Sequence, residues 1–185
     1  VLIVGETGVG KTSLIYAILQ RAADKKLPAS LSSIEFYELD LIALSQGVSY
    51  KGELEDRFKK VAENLTAATQ PVLVIENFQR IEDKQSVLNG ILPLLKKLLA
   101  KNRIQFICTS TIDGFTKDIE KDKEITAYFE KITIDEPSET DSVSILKHKL
   151  GSYEHYHSIV AHPEIPEVIV RMAKRYMPDR RLPAS

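Results

Sequence analysis

Cysteine is nearly missing from this 185-residue chain. The one thiol, Cys108, excludes an intrachain disulfide framework and leaves no cysteine cluster for zinc or an iron–sulfur centre. It points to a reducing intracellular compartment such as the cytoplasm. An excess of charge of one sign is missing too: 25 Lys+Arg against 26 Asp+Glu give a net charge of −1, too balanced for strong non-specific binding to nucleic acid. No apolar run approaches the ~18–20 residues of a membrane span, and no signal peptide is visible. Neither nucleic acid nor membrane is therefore an expected partner. Internal repeats and low-complexity tracts are absent. With 43% hydrophobic residues the composition is globular, and the length suits one domain or one domain and part of another. The chain opens directly on the strand-like Val1-Leu2-Ile3-Val4 and stops at Leu182-Pro183-Ala184-Ser185 without a closing element, so it reads as a piece of a larger protein.

What is present is periodicity. Apolar spacing predicts a helix over 12–25 (Leu14, Ile15, Ile18, Leu19) and a strand over 34–39 closed by Asp40. A loop holding Gly47, Tyr50 and Gly52 leads into a helix over 53–68, with Leu54, Phe58, Val61 and Leu65 on one face. Val72 to Ile75 is a short continuous apolar run, the pattern of a strand covered on both faces. A helical stripe runs from Val87 to Leu99 despite Pro93, followed by strands over 104–108 and 132–134. From Glu139 only helices are predicted, over 139–153 and 165–176. Five strands alternating with helices predict an α/β fold. Its parallel five-stranded sheet is flanked by helices and followed by the start of a helical small subdomain, with the boundary near Pro137 (residues 1–137 and 138–185).

Gly5-Glu6-Thr7-Gly8-Val9-Gly10-Lys11-Thr12 matches G-x-x-x-x-G-K-[ST] between a predicted strand and a predicted helix. Glycines let backbone N–H groups turn inward around a β-phosphate, and the helix N-terminus adds its positive end. Lys11 supplies a cation for the β- and γ-phosphates, and the Thr12 hydroxyl a ligand for Mg²⁺. These eight residues and the adjoining Ser13 are the candidate nucleotide-binding set. Guanine specificity usually needs Asn-Lys-x-Asp, which is absent, so ATP and ADP are the expected nucleotides. Glu76, directly after the 72–75 strand, stands where an acidic residue holds the Mg²⁺ shell. The general base expected next is Asn77 instead. An amide orients a water but takes no proton, and a strand-end turn without catalytic part is the alternative.

These residues, with Leu39-Asp40, Ala43-Leu44, Gly47 to Arg57, Thr111-Ile112-Asp113, Ile119 to Asp122, Glu136-Pro137-Ser138 and Arg175 to Pro183, resemble the Clp/Hsp-type AAA+ unfoldase family. The resemblance covers nearly the whole chain and is to the first ATPase domain of ClpB- and ClpA/ClpC-like proteins. It implies a P-loop AAA+ domain and a hexameric homo-oligomeric ring in the full-length parent, which uses ATP to pull unfolded or aggregated proteins through a pore. Within that resemblance, Tyr50, Lys51 and Gly52 match the substrate-gripping pore loop and Thr111 the first sensor of the attacking water. Ile145 matches a residue packed on adenine. Each also has a plain alternative: Tyr50 packed on its own domain, Thr111 bonded to local backbone, Ile145 in the core.

The departures are as informative. Where the family carries paired arginines, this chain has Ala127 and Tyr128, and the base position is Asn77. The 78–89 segment is shorter than the second pore loop and has lost its glycines. An ATP-binding domain with weak or no hydrolysis is expected. The competing function is a non-enzymatic module in which ATP stabilises assembly. A small-molecule kinase would leave the pore-loop match and the C-terminal helices unexplained. Two lesser signals are His155-x-His157, a weak metal pattern, and Lys96-Lys97 with Lys101 and Arg103, read as a solvated basic helix face.

Overall fold

In the computed structural model, residues 1–48, 50–177 and 180–183 are described; Ser49 and Pro178-Asp179, which belong to matched stretches above, lie outside them, as do Ala184-Ser185 and the Lys51 side chain. β1 (Leu2–Gly5) leads into α1 (Lys11–Ala23), then β2 (Glu35–Glu38), α2 (Leu41–Ser45), α3 (Lys51–Ala67) and β3 (Pro71–Ile75). After α4 (Gln79–Glu82) come a 3₁₀ turn over Val87–Ile91, α5 (Leu92–Lys101) and β4 (Gln105–Ser110). α6 (Ile112–Gly114), a π turn over Phe115–Ile119, α7 (Lys123–Thr126) and β5 (Lys131–Ile134) precede α8 (Glu139–His157) and α9 (Ile165–Tyr176).

The five strands form the expected parallel sheet, in the order β2-β3-β4-β1-β5. Ile75 aligns with Cys108 and Leu2 with Cys108 from the other side. Parallel strands end on the same edge, so the residues following β3 and β4 emerge together. Alternate side chains face opposite ways along each strand. Leu2, Val4, Leu73, Ile75, Phe106 and Cys108 enter one core with Leu54, Phe58 and Leu65 of α3 and Leu95, Leu98 and Leu99 of α5. Cys108 is fully inside it, and burial pushes its thiol well above the usual range, which fits an inert core residue.

Three local readings change. Asp40 does not merely close β2; its carboxylate accepts from the Ile42 and Ala43 N–H groups and caps α2, a helix that the apolar spacing does not predict. The 87–99 stripe is not one helix. Val87–Ile91 is 3₁₀ and α5 starts at Leu92, because Pro93 has no N–H to donate and belongs in a first turn. Lys96 is not on a solvated face: it pairs with Asp122 at 2.6 Å and with Glu124 at 2.7 Å.

Packing divides the chain into residues 1–4 with 12–133, and residues 5–11 with 134–185. In the second unit, Val170 and Ala173 of α9 bury against Val143 and Leu146 of α8 together with Leu182. Glu136 accepts the Leu182 N–H at 3.0 Å and pairs with Arg181 at 3.4 Å.

Candidate nucleotide-binding site

Gly8 and Gly10 adopt φ of +91° and +104°, conformations L side chains rarely take. A Cβ on Gly10 would meet nothing within 4 Å, so backbone conformation rather than space demands glycine there. Gly5 is the opposite case: its Cβ would lie 2.6 Å from the Ile134 carbonyl oxygen. The Lys11 ammonium curls over this loop and donates to the Gly5 and Glu6 carbonyl oxygens at 2.8 and 2.7 Å. Val9 is buried and anchors the loop, while Glu6, Thr7, Thr12 and Ser13 are exposed. The first turn of α1 carries no acidic residue, so its positive end is not neutralised by its own side chains. An open glycine cradle, a lysine at its mouth and an unneutralised helix start fit a phosphate chain.

β3 is buried throughout and ends at Ile75, delivering Glu76, half-buried, and Asn77, exposed, to the sheet edge. Asn77 has φ +55°, a left-handed conformation that asparagine tolerates better than glutamate. A cavity of about 390 Å³ beside them is lined by Glu38, Asp40, Glu76, Asn77 and Arg80, among others. Directly after β4, Thr111 caps α6 by accepting the Gly114 N–H at 3.0 Å. The local backbone bond weighed as its plain alternative is therefore present. A hydroxyl that accepts still has its own proton to donate.

Tyr50 precedes α3 and is 67% exposed. A Cβ on Gly52 would come within 3.3 Å of the Tyr50 ring, so the glycine leaves room for the ring to lie over the helix start. Ile145 is half-buried on α8; Ala127 and Tyr128 follow α7, with Tyr128 exposed. His155 and His157 lie in the last turn of α8, two residues apart and so not on one face. Among the described residues no group of three or more His, Cys, Asp or Glu could hold a metal ion. Among them, likewise, no helix is long and apolar enough to cross a membrane.

Sequence reasoning did not find Glu82, at the end of α4. It is 6% exposed with Oε1 unpartnered, and burial, reinforced by the Asp122 and Asp118 charges against an opposing Lys96, raises its carboxyl to about 7. Nor did it find that the Thr109 hydroxyl, 2% exposed, accepts the Asn77 N–H.

Residues 1–132 match the family described as ATPase family associated with various cellular activities (AAA), and residues 138–185 match an AAA lid domain. The chain is 34% identical to the ATP-dependent Clp protease ATP-binding subunit ClpC of Staphylococcus aureus (strain USA300), over 98% of its own length and 22% of that protein. It is 30% identical to the chaperone protein ClpB of Aquifex aeolicus, over 98% of its length and 18% of that protein. Among solved structures, the closed state of Hsp104 with ATPγS and FITC casein superposes with a TM-score of 0.86 at 32% identity, covering 98% of this chain and 31% of that one. An Hsp104–ADP complex of S. cerevisiae gives 0.84 at 32% identity, with the same coverage. The chain thus spans between about a fifth and a third of the proteins it matches.

Proposed function

Since the chain belongs to the ATPase family associated with various cellular activities and is of the Clp/Hsp type, we propose that it is the Mg-ATP-binding domain of a ring-forming protein chaperone or unfoldase. The domain runs over 1–137 and the lid begins at 138. The observation that carries the reading is the Gly5–Lys11 loop, with two positive-φ glycines ahead of a lysine at the start of α1. Gly5 to Lys11 hold the phosphates, with Thr12 and Ser13 in the first turn of α1. Thr12 and Glu76 face Mg²⁺, which when bound neutralises phosphate charge. Thr111 orients a water through its remaining proton, and Ile145 packs on the base.

Asn77 can orient that water but cannot accept its proton, and no arginine stands at 127 or 128 to offset developing γ-phosphate charge. Hydrolysis at this site is therefore slow. The same replacements favour a second reading, in which ATP stabilises subunit assembly without turnover. Tyr50, exposed beside Gly52, supports a grip on unfolded or aggregated polypeptide in a homohexameric parent, in a reducing compartment such as the cytoplasm. An aromatic ring with a polar tip suits sequence-tolerant contact.

Calorimetric titration with ATP and Mg-ADP tests the core of this reading. Lys11→Ala should weaken both by at least about tenfold, because the phosphates lose their positioned cation. Equal affinity in the variant would remove the phosphate-binding assignment.

A further inference from the structure

β3 and β4 run in register up to Ile75 opposite Cys108, and continuation would set Glu76 beside Thr109. The chain turns instead. Asn77 takes φ +55°, and its N–H donates to the Thr109 hydroxyl oxygen at 3.1 Å. The next N–H, of Phe78, donates to the Thr109 carbonyl oxygen at 2.8 Å. One residue of β4 thus receives two consecutive N–H groups from the turn after β3, one through its side chain and one through its backbone. The ring of Phe78 is fully buried, which anchors the turn on its inner side. On the outer side Asn77 is exposed, so an unheld N–H there would turn to water.

The segment after β4 closes on the same turn. A Cβ at Gly114 would fall 2.5 Å from Gln79 Cγ and 2.9 Å from Thr111 Oγ1, so the absence of a side chain at 114 lets Gln79 pack beside Thr111. The structure assigns to Thr109 a positioning role: its hydroxyl holds the left-handed turn at Asn77 and thereby fixes the direction of Glu76 and Asn77 at the sheet edge. This role rests on the reading of Glu76 as the residue facing Mg²⁺. Valine at 109 would fill the same space with no acceptor, releasing the Asn77 N–H without opening a cavity. Serine would restore the acceptor.

Two readouts on the 185-residue chain separate positioning from mere packing. Amide hydrogen exchange at Asn77 should be slowed by at least about tenfold over that of a solvated amide in the unaltered chain and in Thr109→Ser, and should be fast in Thr109→Val. The ratio of ATP affinities with and without Mg²⁺ should fall by at least about threefold in Thr109→Val and in Glu76→Gln, and hold in Thr109→Ser, with affinity in the absence of Mg²⁺ unchanged in Thr109→Val. If Glu76→Gln lowers the ratio and Thr109→Val does not, the positioning role is wrong and the role of Glu76 stands. If Glu76→Gln leaves the ratio intact, both fall. Fast exchange at Asn77 in the unaltered chain overturns the proposal without any variant having to fold.

Discussion

Gly5 and Ile134 approach so closely that a single methyl on the glycine would sit 2.6 Å from the Ile134 carbonyl oxygen. Backbone cannot swing aside as a flexible side chain can. Gly5→Ala should therefore destabilise the fold by about 1–3 kcal/mol, in the range of overpacking substitutions. Gly10→Ala meets no neighbour but must hold φ +104°, and should cost on the order of 1–2 kcal/mol through backbone strain alone. Chemical denaturation of both variants checks the pair. A silent Gly5→Ala would mean the loop can move off Ile134 at little cost.

Glu82 gives a pH signature. Its folded carboxyl titrates near 7 against an ordinary 4.5, chiefly because it is buried. The native state then binds more protons than the unfolded state between these values, so this contribution to stability falls as pH rises from about 4.5 to about 7 and is flat beyond. The change is on the order of 3 kcal/mol. Glu82→Gln should match the unaltered chain near pH 4.5 and melt several degrees higher at pH 8. Parallel melting curves across this interval would show that the group finds a partner or water on ionising.

The pore-loop assignment separates gripping from binding. Tyr50→Ala in the full-length parent should impair processing of an unfolded protein while leaving ATP affinity unchanged, since the ring is exposed next to Gly52 and away from the glycine loop in sequence. Normal processing by the variant would return Tyr50 to packing on its own helix.

Repair of the altered site should need several changes at once. Asn77→Glu supplies a base but places glutamate in a left-handed conformation, a strain of roughly 1 kcal/mol, and still leaves no arginine at 127 or 128 to offset charge developing on the γ-phosphate. Asn77→Glu combined with Ala127→Arg and Tyr128→Arg, in an assembled ring, should raise turnover markedly above either change alone. Turnover restored by Asn77→Glu alone would show that another cation already serves.

Strands and long helices were legible because their signals are local. The unbroken apolar run Val72–Ile75 becomes a strand buried at every position, and Leu54, Phe58 and Leu65 of α3 point inward as their spacing predicts. The five residues of α2 are too few to show a period; only Asp40 ahead of Leu41 could have announced it. Lys96 looked solvated because its partners, Asp122 and Glu124, are more than twenty residues away. The site divides the same way. The glycine loop is contiguous and carries its own signal, whereas the Thr109 hold on Asn77 joins residues 32 apart and the burial of Glu82 depends on how α4 packs.

Slow hydrolysis despite intact nucleotide binding is tested most directly by the turnover of this site in the assembled parent, with any other ATPase site disabled. Arginine fingers contribute roughly 10³–10⁵ in rate and a general base roughly 10²–10⁴; the two act together, so only the larger factor is applied. Starting from about 1 s⁻¹, that leaves less than about 10⁻³ s⁻¹, with ATP binding that still depends on Lys11. A rate near 1 s⁻¹ from the unaltered site would contradict the assignment and require another residue to supply both the base and the positive charge.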